Sequence, residues 1–116
     1  MYGIDTVDAR QVDAWMQAGE PMLLVDVRTP AETAQGIIPG ARLLPLHLVP
    51  MNVEAFRGAP RIVVCCHSGA RSAQACYFLA QQGISSVYNL GGGMISWMGS
   101  GLPVERPGAA SALLPT

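Results

Sequence analysis

The chain has 116 residues, which is enough for one hydrophobic core but not for two. Half of the residues are hydrophobic, 13% are charged and the net charge is −1, so the composition predicts a packed globular domain without a basic face for nucleic acid. No apolar run reaches the roughly 18 residues of a membrane span, and residues 1–5 lack the basic and apolar regions of a secretory signal. Three cysteines without a disulfide framework favour a reducing compartment, which we expect to be the cytoplasm.

Predicted helices and strands alternate along the chain. The first half predicts a helix capped by Asp5 and Thr6 that runs to Ala18, a strand at 22–25, a helix from Thr29 and Pro30 to about Gln35, and a strand at 41–44. Pro50 interrupts any helix in residues 46–56. The second half predicts a strand at 61–65, a helix from about Arg71 to Gly83, a strand at 86–90, and a short helix opened by residues 91–93.

This alternation predicts an α/β domain with a mostly parallel sheet that is covered by helices on both faces. Residues 1–106 are expected to form the domain, and the small-residue-rich residues 107–116 a flexible tail. In parallel sheets, functional loops lie beyond the carboxyl ends of the strands. The loop after the strand at 61–65 is therefore the first place to look for a site.

That loop contains an unusual cysteine. Its sequence is Cys66-His67-Ser68-Gly69-Ala70-Arg71. Small residues let the backbone curl so that its N–H groups point inward, and the following helix directs its positive end at the same place. Such a loop stabilises an anion, either a cysteine thiolate or a bound oxyanion. A lowered pKa at Cys66 would raise its reactive thiolate fraction near neutral pH.

The other readings of these residues remain open on the sequence alone. Cys66 can be a small buried hydrophobe, as many free cysteines are, although its position between a strand end and a helix start favours reactivity. Neighbouring strand residues point to opposite sides, so Cys65 is expected to pack under the helices, and Cys76 to lie in the core. No metal site is expected, because Cys65, Cys66 and His67 are too close together to chelate one ion. His67 is either a weak acid–base group or a solvent-facing residue.

Four patterns, one of which is the cysteine loop itself, give the chain a family resemblance. They are Asp26-Val27-Arg28-Thr29-Pro30-Ala31-Glu32, Gly36-Ile37-Ile38-Pro39-Gly40-Ala41, the loop through Ser72, and Asn89-Leu90-Gly91-Gly92-Gly93-Met94 with Trp97 before a closing Gly101-Leu102-Pro103-Val104. Each motif alone is modest, but their order is specific. From Thr6 to about Glu105 the chain resembles the single-domain, rhodanese-like thiosulfate sulfurtransferases.

The resemblance implies a fold and an activity. The fold would be a five-stranded, mostly parallel sheet flanked by helices on both faces. Cys66 would take sulfur from a small donor such as thiosulfate as a covalent persulfide, with no other cofactor, and pass it to cyanide, a thiol, or a sulfur-carrier or thioredoxin-like protein. The residues expected to bind the donor are His67, Ser68, Gly69, Ala70, Arg71 and Ser72.

Three charged residues are expected to support the loop. Arg28 and Glu32 lie one helical turn apart and predict a local ion pair, while Asp26 is a candidate partner for Arg71. Arg71 is equally consistent with direct contact to an anionic substrate. Asp26, Arg28 and Glu32 are thus structural candidates.

Two positions depart from the family pattern. Ile37 replaces a common histidine, from which we expect a repacked loop and retained activity. His67 replaces a frequent arginine, which makes the site less cationic and weakens the case for thiosulfate as the donor.

Two other functions compete with sulfur transfer. Cys65 and Arg71 have the Cys-x5-Arg spacing of phosphate-binding cysteine enzymes, which would make the chain a phosphatase or arsenate reductase. Against this, Gly69 falls one position late, Val64 replaces the histidine that precedes the nucleophile, and the loop from Cys66 is one residue short. A non-catalytic regulatory module is the third possibility, which the retained cysteine disfavours.

Overall fold

The computed structural model describes residues 4–113, so the expectations for residues 1–3 and 114–116 lie outside the described residues. Five strands form one sheet: β1 (Asp5–Val7), β2 (Leu23–Asp26), β3 (Arg42–Leu43), β4 (Ile62–Cys65) and β5 (Val87–Leu90). Their order is β1-β5-β4-β2-β3, and every neighbouring pair is parallel. The predicted α/β class and five-stranded parallel sheet are confirmed.

Helices cover both faces of this sheet, as expected. They are α1 (Ala9–Gln17), α2 (Pro30–Thr33), α3 (Ala70–Gln81) and α4 (Gly93–Gly99). Three 3₁₀ helices, Leu46–Leu48, Pro50–Phe56 and Ala109–Ser111, complete the described elements. Helix α3 and the first two 3₁₀ segments pack on one face, while α1 and α4 pack on the other. Within residues 4–113, no helix is long and apolar enough to cross a membrane.

Strand β4 is central and buried along its whole length. Ile62 and Val64 contribute to the core beneath α3, whereas Val63 and Cys65 contribute to the core beneath α1 and α4. The strand is therefore a continuous apolar run, because neither face meets water. Cys66 continues the alternation onto the α3 side.

The start of the chain differs from the prediction. Residues 5–7 form edge strand β1, whose register pairs Asp5 with Tyr88 and Val7 with Leu90. The helix cap is Asp8, whose carboxylate accepts the N–H of Gln11 at 2.8 Å. Asp5 and Thr6 suit a cap by residue type, but the open edge of β5 supplies backbone hydrogen-bond partners that local sequence does not reveal.

The C-terminal segment, for which the sequence predicts a loose tail, contacts the edge of the sheet over its described part. The guanidinium of Arg42 donates to the carbonyls of Ala110 and Ala112 at 3.0 and 3.3 Å, and the N–H of Leu113 donates to Leu43. These contacts cover the outer edge of β3, a two-residue strand whose opposite edge pairs with β2. An unpaired strand edge offers hydrogen bonds that order a segment of low apolar content.

A buried ion pair joins the end of β2 to the next loop. Arg28 binds both carboxylate oxygens of Asp26, with Nη2–Oδ2 at 2.8 Å, and also donates to the carbonyl of Gly36 at 2.8 Å. The predicted pair of Arg28 with Glu32 is wrong. Glu32 is held in a capping box with Thr29 at the start of α2, which leaves Arg28 to neutralise the fully buried Asp26.

This pair generates a stability prediction. Replacing Arg28 with Met removes the cation and leaves Asp26 buried without its partner, so the free energy of unfolding should fall by about 3–5 kcal/mol. The matched control is Arg57→Met, which breaks an exposed pair with Glu54 and should cost less than about 1 kcal/mol. Chemical denaturation measures both variants. Equal losses would contradict the importance assigned to the buried pair.

Candidate active site

Cys66 directly follows β4, at the carboxyl end of the central strand. Three donors converge on its sulfur: the N–H of Gly69 at 3.1 Å, the N–H of Ser72 at 3.4 Å and the hydroxyl of Ser72 at 3.3 Å. The loop closes around the side chain, so that Cys66 is only 1% exposed. Gly69 permits this turn, because its φ of 104° lies in the left-handed region that favours glycine.

These donors determine the ionisation of Cys66. Burial alone would raise the pKa of the thiol, but hydrogen bonds from the Ser72 hydroxyl and from the backbone of Ser72, Gly69 and Ser68 outweigh it and lower the pKa below the ordinary value. A thiolate is the form that attacks electrophiles. Hydrogen-bond donors of the loop therefore favour the thiolate form of Cys66.

The other two cysteines behave differently. Burial, reinforced by the charge of Asp26, raises the pKa of Cys65 well above its usual value. Burial also raises the pKa of Cys76 to about 12. Both side chains lie in the core, as the sequence predicts, and on opposite faces of the sheet. Of the three thiols, only Cys66 has a lowered pKa.

Helix α4 holds the loop from the other side. The N–H of Met94 donates to the carbonyl of Cys66 at 2.9 Å, and the N–H of Ile95 donates to the carbonyl of His67 at 3.1 Å. Gly93 allows this close approach, because a Cβ built there would lie 2.4 Å from the Cys66 carbonyl oxygen. The predicted glycine motif thus positions the cysteine loop.

Arg71 forms an ion pair at the edge of the site. Its guanidinium contacts both carboxylate oxygens of Glu32, at 2.7 and 2.8 Å, and each side chain is about one-third exposed. The acid that pairs with Arg71 is therefore Glu32 and not Asp26. The hydrogen bonds from Arg71, with those from Thr29, lower the pKa of Glu32 to about 2, so the pair remains charged at neutral pH.

The remaining predicted site residues differ in exposure. His67, Ser68 and Ala70 are exposed, while Ser72 is fully buried beside the sulfur. A depression of about 320 Å³ lies beside the loop, and its lining comprises Arg28, Glu32, Gln35, His67 and Met98. Within residues 4–113, no cluster of three potential metal ligands occurs.

Ile37 occupies the position where the family commonly has histidine. It is fully buried, and its backbone exchanges two hydrogen bonds with Glu105, at 2.8 and 2.9 Å. The loop is thus packed by an apolar side chain and held by backbone bonds.

Sequence reasoning missed Asn89 as a site residue. Its side-chain oxygen accepts the hydroxyl of Ser72, and its amide nitrogen donates to the carbonyl of Gly69 at 3.1 Å. Asn89 is nearly buried in β5, the strand beside β4. The available signal was a polar amide in an otherwise apolar strand end, next to the strand that carries Cys66.

Comparisons with known proteins cover the same region. The family model described as Rhodanese-like domain matches residues 8–100. A sulfurtransferase of Allochromatium vinosum is 45% identical over 90% of this chain and 97% of the relative. The thiosulfate sulfurtransferase GlpE of Stutzerimonas stutzeri is 35% identical over 84% of this chain and 87% of its own length. The crystal structure of a rhodanese-like domain protein from Staphylococcus aureus superposes with a TM-score of 0.80 at 31% identity, covering 90% of this chain and 100% of that one.

The contact of Gly93 with the loop can be tested directly. Gly93→Ala should lower the free energy of unfolding by at least about 2 kcal/mol, because φ at Gly93 is 53° and the added methyl group meets the Cys66 carbonyl. Alkylation of Cys66 should also slow at neutral pH. Gly99→Ala on the same helix is the control, since no atom lies within 4 Å of its added methyl group. Matching melting curves for the two variants would contradict this role.

Proposed function

We propose, from the premise that the chain belongs to the rhodanese-like family, that it is a sulfurtransferase in which Cys66 carries the transferred sulfur as a persulfide. The observation that carries the proposal is the set of donors from Gly69 and Ser72 to the Cys66 sulfur. They stabilise a nucleophilic thiolate and also stabilise it as the leaving group of the second half-reaction. The names of the similar proteins support the same reaction class.

The first half-reaction loads the cysteine. With thiosulfate, the thiolate of Cys66 attacks the outer sulfur, the sulfur–sulfur bond of thiosulfate breaks, and its electron pair leaves with sulfite. The product is a Cys66 persulfide anion, so charge and atoms balance. Residues His67 to Ser72 surround the sulfur and would contact the donor.

The second half-reaction unloads it. An acceptor thiolate or cyanide attacks the outer persulfide sulfur, the bond to the Cys66 sulfur breaks, and Cys66 returns as a thiolate. The product is a new persulfide or thiocyanate. The acceptor in the cell would be a small thiol, a sulfur-carrier protein or a thioredoxin-like protein, and neither step requires a metal or an organic cofactor.

The charge at the entrance bears on the choice of donor. Arg71 is the arginine of the loop, but Glu32 neutralises it through two hydrogen bonds, and His67 stands where the family often has arginine. A dianion such as thiosulfate therefore gains less attraction than at a site with a free cation. We therefore consider two candidate donors, thiosulfate and small thiol persulfides.

The reducing environment of the cytoplasm suits this chemistry. The cysteines are all free thiols, and none of them forms a disulfide. A persulfide enzyme needs its nucleophile reduced between turnovers. We propose the cytoplasm as the compartment, because its reductants keep thiols free.

The phosphatase alternative loses its nucleophile in the structure. Cys65 is fully buried and belongs to the core on the side of α1 and α4, away from the donors that surround Cys66. Its raised pKa also keeps it a neutral thiol. The Cys-x5-Arg spacing therefore does not correspond to an arranged phosphate site.

Persulfide formation is the direct test. After incubation with thiosulfate, intact-mass and peptide mass spectrometry should show one added sulfur atom on Cys66, because this thiol alone has a lowered pKa. Cys66→Ser should abolish the gain and the release of sulfite. Cys65→Ser is the matched control and should retain both. Phosphate-ester turnover that depends on Cys65, without sulfur gain, would overturn the proposal in favour of the phosphatase.

The Arg71–Glu32 pair gives a second prediction. Glu32→Gln removes one negative charge and keeps a side chain that can close the capping box with Thr29. The value of kcat/KM for thiosulfate should rise about fivefold, which corresponds to roughly 1 kcal/mol of improved attraction for the dianion. Steady-state kinetics in low salt measures the change.

The control for this variant is Glu54→Gln, which removes the same charge from an exposed pair outside the loop and should leave kcat/KM unchanged. An alkyl persulfide donor carries one negative charge at neutral pH where thiosulfate carries two, so its kcat/KM should rise only about twofold in Glu32→Gln. Equal gains for both donors would show that the substitution acts on loop structure instead of charge.

A further inference from the structure

The side chain of Asn89 can adopt only one orientation. Its amide nitrogen faces the carbonyl of Gly69 at 3.1 Å, and a carbonyl accepts hydrogen bonds but cannot donate them. A flipped amide would bring two acceptor oxygens together. The side-chain oxygen of Asn89 therefore faces Ser72, where it can accept the proton of the hydroxyl.

In this orientation, two acceptors compete for the proton of the Ser72 hydroxyl. The hydroxyl has one proton, and it lies within reach of two acceptors, the Asn89 oxygen and the Cys66 sulfur at 3.3 Å. While the proton points to Asn89, the lone pair of Ser72 faces the sulfur, which suits a neutral sulfur. A bare thiolate draws the proton away, because a charged acceptor forms the stronger bond. The Ser72 and Asn89 oxygens then face each other without a proton between them.

A persulfide changes this balance, and here the inference rests on the proposed function. In a Cys66 persulfide the negative charge lies on the outer sulfur, so the inner sulfur no longer needs the Ser72 hydroxyl. The Ser72–Asn89 bond can then form again. We propose that Asn89 is a positioning residue that acts through the Ser72 hydroxyl to disfavour the bare Cys66 thiolate relative to the Cys66 persulfide.

Other groups near the sulfur do not explain such an effect. The titratable groups coupled to Cys66 are Arg71 on α3, with its partner Glu32 on α2, Cys65 on β4 and Cys76 on α3. His67 lies in the loop itself and is exposed. A substitution at Asn89 leaves all of them in place. Asn89 itself borders a surface depression of about 410 Å³ that Gly69, Ala70 and Ala73 also line, so truncation there enlarges an open space and not a sealed cavity.

A double-mutant cycle tests the inference. The pH dependence of Cys66 alkylation, followed by peptide mass spectrometry, gives the pKa of the thiol in wild type, Asn89→Ala, Ser72→Ala and the double variant. Asn89→Ala should favour the thiolate about fivefold, a shift of roughly 0.7 pH units to lower pKa, because the Ser72 proton becomes free for the sulfur. In the Ser72→Ala background the same substitution should change the equilibrium by less than twofold.

Asn89→Asp supplies a variant of opposite sign. An aspartate retains an oxygen acceptor for Ser72 in either ionisation state, so the pKa of Cys66 should stay unchanged or rise. If Asn89 only maintained the shape of the loop, both substitutions would raise the pKa, and Asn89→Ala would do so with or without Ser72. Either of those outcomes overturns the inference.

The sulfur-loading equilibrium provides an independent readout. At fixed thiosulfate and sulfite concentrations, and at a pH above the measured pKa of Cys66, the ratio of persulfide to free Cys66 should fall about fivefold in Asn89→Ala. The same substitution should leave this ratio unchanged in the Ser72→Ala background. A ratio that does not fall would contradict the inference. Alkylation requires no sulfur donor, so a wild-type protein that forms no persulfide would refute the proposed function while the titration still decides the role of Asn89.

Discussion

The hydrogen bonds that the backbone of Gly69 and Ser72 donates to the Cys66 sulfur are the interaction on which the site depends. Backbone N–H groups cannot rotate to another acceptor without moving the chain, so their direction is set by where β4 ends and α3 begins. The loop bonds to α4 through the carbonyls of Cys66 and His67 then prevent that geometry from relaxing. Reactivity here is a property of the packed fold and not of one side chain.

Two arginine–carboxylate pairs lie close to this loop. The buried Asp26–Arg28 pair holds the end of β2 and the Gly36 carbonyl, and the Arg71–Glu32 pair joins α3 to α2 at the rim. Each cation is matched by a carboxylate, so the thiolate is stabilised chiefly by dipoles. In the proposed persulfide mechanism the negative charge moves from one sulfur to the next, and dipolar stabilisation suits this movement because it does not bind the anion too tightly to release it.

The sequence predicts the loop around Cys66 because the signals are local: an apolar strand, small residues and a helix start are adjacent in the chain. Sequence reasoning failed where several partners competed. Helical spacing predicts a pair of Arg28 with Glu32. In the structure Glu32 instead forms the capping box with Thr29 and the ion pair with Arg71, which is 39 residues away. The edge strand β1 and the C-terminal contacts of Arg42 were missed for a related reason, since an open sheet edge exists only after the sheet has formed.

The alternation of side chains along β4 decides which of the two adjacent cysteines faces the hydrogen-bond donors of the loop. Side chains alternate along a strand, so Val64 and Cys66 share the α3 side while Cys65 lies on the other. The same register pairs Val64 with Asn89 and thereby brings the amide of β5 to the Ser72 side of the sheet. A one-residue slip of β5 would present Tyr88 or Leu90 instead; Leu90 has no polar side-chain atom, and Tyr88 has a single hydroxyl in place of the separate donor and acceptor atoms of an amide. Sheet register therefore selects the nucleophile and its polar support together.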